Sequence, residues 1–223
     1  MKHSILATTA LLGLGLWLPI EGAVIANNFT GGPYSDGTAL GDGTGNAASR
    51  DWKAFGLTIG STAMQFVSLE TIFDNDSFLF TRDIDGGIFG DNGGKPGSEL
   101  AAFSTVTLPT QAQNVTITST TGFLLLPNTL YWFVLTGPVG VGVLPNWQTG
   151  TTNAAPTGSA FASTAGYRFS GDNQTSWSVS TVNNQLRINA NVADFGLAAV
   201  PEPSTLMLSA AGLLLMGRFI RRR

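Results

Sequence analysis

The side chains in this chain best suited to chemistry are carboxylates and tryptophans. The sequence reads Asp74-Asn75-Asp76, then Asp83-Ile84-Asp85-Gly86-Gly87, then Asp91-Asn92-Gly93-Gly94. Oxygen-rich, Gly-bent loops can coordinate Ca²⁺, which takes about six to eight oxygen ligands. Asp83, Asp85 and Asp91 are the candidate ligands. The spacing departs from an EF-hand, because Gly87 stands where a third side-chain ligand belongs and no Glu closes the loop. Asp-Gly and Asn-Gly dipeptides also accept φ > 0 and so make hairpin turns. Turns are therefore the expectation, with no cofactor and a bound Ca²⁺ as the alternative. A pair of carboxylates could also hydrolyse a glycosidic bond without histidine, but nothing in the sequence pairs two of them.

The aromatic candidates are Trp52, Tyr131, Trp132, Trp147, Tyr167 and Trp177. Such rings stack on sugars, and they also pack the cores of sheet proteins. Trp147 lies in Pro145-Asn146-Trp147-Gln148, and Trp177 follows Asp172-Asn173-Gln174. Their loop-forming neighbours make these two the expected exposed, sugar-stacking residues.

Composition excludes a good deal. The chain has no Cys, and its one His is His3. If His3 leaves with an N-terminal leader, the mature protein has neither imidazole nor thiol. Ser-His-Asp catalysis, thiol catalysis and His- or Cys-ligated metals then all fall away. The expectation is a protein that is not an enzyme. Between Asn27 and Val200 six basic residues (Arg50, Lys53, Arg82, Lys95, Arg168 and Arg187) face twelve acids, a net charge of −6. An acidic body without a basic cluster does not bind nucleic acid.

The elements that must position these residues are written in β grammar. Short runs rich in Thr, Val, Ile, Phe, Tyr and Trp are punctuated by Gly, Asn, Asp and Pro. Strands are predicted at 51–59, 65–73, 77–84, 99–107, 114–119, 129–136, 167–169, 177–179 and 186–192. Val67, Leu69, Thr71 and Phe73 are the expected core face of the second, and Leu186, Ile188, Ala190 and Val192 alternate with polar residues in the last. Segments 31–49 and 149–164 read as loops. No stretch of the body carries a useful helical period. The fold class is all-β, an antiparallel β-sandwich or jelly roll of two packed sheets, with the strand order left open.

The two ends have a different character. Lys2 and His3, an uncharged Leu/Ala/Gly-rich run from Ile5 to Pro19, and small residues at Gly22, Ala23 and Ala26 make a signal peptide over residues 1–26. The cut is expected after Ala26, with Ala23 second, by signal peptidase in the export machinery. At the other end, Pro201 and Pro203 stop any helix from running back into the body. Leu206 to Gly217 is an apolar segment of about 18 Å as a helix, against a hydrocarbon core of about 30 Å. Arg218 can snorkel toward headgroups, and Arg221, Arg222 and Arg223 hold that end at the cytoplasmic side of the inner membrane.

Val200-Pro201-Glu202-Pro203-Ser204-Thr205, the short hydrophobic helix and the Arg-rich tail resemble the PEP-CTERM sorting signal of Gram-negative bacteria. The resemblance implies recognition by exosortase, a membrane-embedded transpeptidase-like enzyme. Pro201, Glu202 and Pro203 would be the sorting motif, and the helix and arginines a transient membrane hold. The domain plan is then a signal peptide at 1–26, an exported β domain at 27–199 and the sorting signal at 200–223. The body, with Asn27-Asn28-Phe29, Asp91 to Ser98, Leu130 to Leu135 and Trp147, resembles the R-type choice-of-anchor domains, exported bacterial β domains without a defined activity. Together these imply an envelope or extracellular-matrix protein of an exopolysaccharide-producing, biofilm-forming cell, with a structural or adhesive body. The alternative is a carbohydrate-binding module of that matrix, and a carboxylate glycoside hydrolase is the remotest reading.

Overall fold

The computed structural model describes residues 22–30, 34–74, 82–108, 111–140 and 142–193. Fifteen strands form among them. In chain order they are β1 (Ala23–Asn27), β2 (Tyr34–Ala39), β3 (Trp52–Ile59), β4 (Met64–Asp74) and β5 (Arg82–Asp91). Next come β6 (Pro96–Ala102), β7 (Val106–Leu108), β8 (Gln113–Ile117), β9 (Leu124–Leu125) and β10 (Leu130–Thr136). The last five are β11 (Asn146–Gly150), β12 (Thr157–Gly158), β13 (Ala162–Ser170), β14 (Ser178–Ser180) and β15 (Leu186–Val192). One sheet runs β12-β1-β15-β4-β11-β2, with β8 and β9 also on β4; the other runs β14-β13-β3-β10-β5-β6, with β7 on β5. The strand pairs are antiparallel, and the two sheets pack as the sandwich that the sequence predicts.

Alternation explains the layers. In β3, Phe55, Leu57 and Ile59 point into the space between the sheets, while Trp52 and Ala54 join a second cluster on the outer face. The uninterrupted apolar run of β10 buries both faces. Tyr131, Phe133 and Leu135 enter the main core, and Trp132 and Val134 the outer cluster. Leu186, Ile188 and Ala190 of β15 face inward as predicted, but Val192 is 54% exposed. Each large side chain buried this way contributes about 1.5–3 kcal/mol. An aromatic chain ties the sheets together, with ring centroids 5.6 Å apart for Phe66–Phe133, 6.2 Å for Phe73–Trp147 and 6.0 Å for Trp147–Tyr167.

Strand β4 corrects the expected core face. Its register against β15 slips between Asn189 and Ala190, leaving Val67 as the extra residue of a bulge. Because side chains alternate with period two, one bulged residue reverses the inward face. Met64 and Phe66 point inward before it, Leu69, Thr71 and Phe73 after it, and Val67 is only half-buried.

Other expectations shift as well. The loop predicted at 31–49 contains β2, the strand at 99–107 divides into β6 and β7, and the loop at 149–164 holds β12 and the start of β13. Asp83 to Gly87 lies inside β5 rather than in a turn. There the glycine pair serves close approach. A Cβ on Gly86 would stand 1.9 Å from the Val134 carbonyl oxygen, and one on Gly87 2.5 Å from that of Ala101. Finally, β1 crosses the boundary expected at Ala26. It sits between β12 and β15, with Ile25 buried and Ala26 paired with Ile188. Cleavage after Ala26 would strip this interior strand from its place between β12 and β15. Residues 1–21 and the C-terminal segment from 194 lie outside the described residues.

Candidate functional site

The three candidate metal ligands do not converge. Asp83 and Asp85 are neighbours on β5, each taking a hydrogen bond from a threonine: Thr107 Oγ1 to Asp83 Oδ1 at 2.6 Å and Thr105 Oγ1 to Asp85 Oδ1 at 2.9 Å. Asp85 also faces Arg50 at 3.6 Å. Asp91 ends the same strand, on the order of 26 Å from Asp83 at ~3.3 Å per residue. Among the described residues no group of three or more His, Cys, Asp or Glu could share a metal.

The two sugar-stacking candidates also part company. Trp147 is fully buried in β11, not exposed. Its ring packs against Phe73 and Tyr167, and its Nε1 donates to the Gln185 carbonyl at 2.9 Å. The Pro-Asn flank that resembled a loop is simply the entry to the strand, whose alternation turns Trp147 inward. Trp177 is half-buried on the other sheet, packed against the outer cluster of Ala54, Phe89, Trp132 and Val134.

Trp177 lines a concave site instead. A cleft of about 520 Å³ opens between the β5–β6 hairpin and the loop from Gly171 to Trp177, walled by Asn92, Lys95, Ser98, Leu100, Gln174 and Thr175. The hairpin closes with Asn92 N donating to Lys95 O at 2.8 Å, across Gly93 (φ 65°) and Gly94 (φ 80°). Positive φ at both central residues is the twist-matched hairpin turn, which favours glycine there. Asp91 fixes it to the sheet, accepting from Gly94 N at 3.0 Å and from Trp132 Nε1 at 2.9 Å. Arg168 closes the other side, donating Nε to Gly94 O at 2.9 Å with its guanidinium 5.8 Å from the Trp132 ring centre.

The opposite wall is organised by Asp172. It accepts from Ser176 Oγ at 2.6 Å, Ser170 Oγ at 2.8 Å and Ser176 N at 2.9 Å. The Ser176 hydrogen bonds, then Ser170, hold its carboxyl below the usual carboxylate range. Asn173 and Gln174 both have positive φ, 53° and 69°. For a non-glycine pair this is a strained arrangement costing on the order of 1–3 kcal/mol per residue, least for Asn. Trp52 Nε1 donates to Asn173 Oδ1 at 3.0 Å and steadies it. The side chains of Asn92, Lys95, Ser98, Gln174 and Thr175 make no hydrogen bond or ion pair with the described protein. Five unengaged polar groups therefore surround one tryptophan.

A second constellation went unread in the sequence. Lys53 is fully buried, and its Nζ donates to Ser180 Oγ at 2.6 Å, Val182 O at 2.9 Å and Thr38 Oγ1 at 3.2 Å. The ammonium lies 5.1 Å from the Tyr167 ring centre, and no carboxylate of the described residues pairs with it. Burial pushes its pKa down from 10.5 to about 7. Burial also pushes the Tyr167 phenol well above its usual value. The phenol donates to Asn184 O, and Asn184 in turn donates to Trp147 O. This polar knot joins β2, β3, β11 and β13 to the segment before β15. The signal for it was present, because Lys53 shares its strand parity with Phe55, Leu57 and Ile59.

The described residues form a two-sheet β domain with a polar, aromatic-walled surface site. Compared with known proteins, residues 199–223 match the PEP-CTERM protein-sorting motif. No curated protein and no solved structure matches the chain. The motif marks an exported protein sorted by exosortase and transiently anchored in the membrane. Pro201, Glu202, Pro203, Arg218 and Arg221 to Arg223 all fall within the match and outside the described residues. The matched family covers the tail alone, so the resemblance of the body to choice-of-anchor domains has no family match behind it. No helix among the described residues is long and apolar enough to cross a membrane.

Proposed function

We propose that this is a non-catalytic protein of the cell envelope or extracellular matrix, released by exosortase, with a structural or adhesive body that needs no cofactor. The sorting motif at 199–223 is the observation that carries this reading. The character of the body supports it. Its only histidine precedes the domain, it has no cysteine, and the carboxylates of Asp83, Asp85 and Asp91 are each engaged by neighbouring protein groups. Carbohydrate binding is the second reading, favoured by the Trp177 cleft. Exopolysaccharide is the partner we infer under either.

Intact mass of the protein from envelope and medium, in hosts with and without exosortase, tests the proposal. The expected species starts no later than Val24, keeping β1, and ends near Pro201–Ser204 only when exosortase is present. Retention of Arg221 to Arg223 in both hosts would make the tail a permanent anchor and end the release reading. Release of reducing sugar from the host polysaccharide would instead revive a hydrolase.

A further inference from the structure

We propose that the cleft between the Asn92–Lys95 turn and the Gly171–Trp177 loop binds an uncharged pyranose unit of a polysaccharide, stacked on Trp177. This goes beyond the sorting reading and rests on it only for the compartment where the glycan is met. A pyranose has an apolar ring face and a rim of hydroxyls, each both donor and acceptor. Trp177 supplies the matching surface for the face, anchored from behind by the outer cluster. Asn92, Gln174, Ser98 and Thr175 supply groups that both donate and accept, and none is spent on a partner among the described residues. A wholly apolar ligand would leave these groups unmatched.

The site is also organised in advance. Asp91 and Arg168 hold the hairpin, and Asp172 holds the opposing loop. The positive φ values at Asn173 and Gln174 mark backbone kept in place by its surroundings. Little ordering is then left for a ligand to impose. Charge selects the sugar class. Asp91 is already doubly bonded, and Lys95 is the one free cation among the described residues of the cleft. The body's net charge of −6 repels a polyanion at long range.

Calorimetric titration of the processed protein with hexasaccharides of β-1,4-glucose and β-1,4-mannose, and with a polyuronate of the same length, tests the assignment. Binding to at least one neutral probe is expected, with weak dependence on salt. Trp177→Ala should weaken it about tenfold or more, and Trp177→Phe less. Asn92→Ala and Gln174→Asn, which leave the packing of the outer cluster intact, should each weaken it by a factor of about three to ten. No binding to either neutral probe would overturn the proposal, as would wild-type affinity in all three of Trp177→Ala, Asn92→Ala and Gln174→Asn. Polyuronate binding that Lys95→Ala abolishes would replace it with a charge site. The titration and the mass experiment can fail separately, since neither outcome depends on the other.

Discussion

Trp147→Ala should destabilise the domain by about 4–5 kcal/mol in denaturant titration. Truncating a fully buried Trp or Phe typically costs about 3–5 kcal/mol, from lost transfer energy plus the cavity left behind. Trp147 belongs at the upper end because it is fully buried and bridges rings from both layers: Phe73 lies on its own sheet and Tyr167 on the other. Its indole N–H adds a smaller amount. The Gln185 carbonyl that it meets also receives Thr71 Oγ1 at 3.0 Å, so deletion does not orphan that oxygen. Against a total stability of about 5–15 kcal/mol for a single domain, this loss is from about a quarter to all of it. Trp147→Phe keeps most of the ring contact and should cost less than half as much, leaving binding in the Trp177 cleft intact. A surface tryptophan behaves otherwise, with changes within about 0.5 kcal/mol. A loss that small for Trp147→Ala would contradict the packing described here.

The fold was legible where alternation was clean and opaque where one residue decided the outcome. Strands β3, β10 and β15 announce themselves through Phe55/Leu57/Ile59, the double-faced run of Leu130 to Leu135, and Leu186/Ile188/Ala190. In β4 the single bulge at Val67 inverts the face, and no local pattern foretells which residue will be left unpaired. Asp83 to Gly87 carries turn dipeptides, yet Gly86 and Gly87 are used for the close approach of β10 and β6, a requirement set by neighbours far off in sequence. The candidate site fared similarly. Trp177 could be singled out from its flanks, but its partners at Asn92, Lys95 and Ser98 arrive through the strand order β13-β3-β10-β5-β6, which sequence periodicity does not encode. Trp147 carried the same kind of flank and went the other way. Turn residues beside a tryptophan mark the end of a strand without saying which way its side chains face.

Lys53 should make the protein more stable as pH rises from 7 to about 9.5, the reverse of what a surface lysine would do. Its pKa falls from 10.5 in the ordinary state to about 7 in the fold. Between those values the unfolded chain binds a proton that the native chain does not, so unfolding free energy climbs with pH. Below about pH 7 both states hold the proton and the full burial cost persists. At about 1.4 kcal/mol per unit, the window to pH 9.5 has an upper bound of about 3 kcal/mol. The acceptors at Ser180, Val182 and Thr38 favour the ammonium and oppose desolvation, so about half that gain is expected. Other shifted groups stay out of the window. Asp51, raised by burial, and Asp172, lowered by its serines, titrate in acid, while Tyr167, raised, withdraws stability only above about pH 10. Lys53→Met removes the titrating group while keeping the chain's reach and bulk. Its denaturant midpoint should be flat from pH 7 to 9.5, with a modest net change at pH 7, because losing a buried, unpaired charge offsets the hydrogen bonds it made. A wild-type midpoint that does not move over this range, or a Met variant that keeps the wild-type slope, would show that the ammonium is not desolvated as its burial implies.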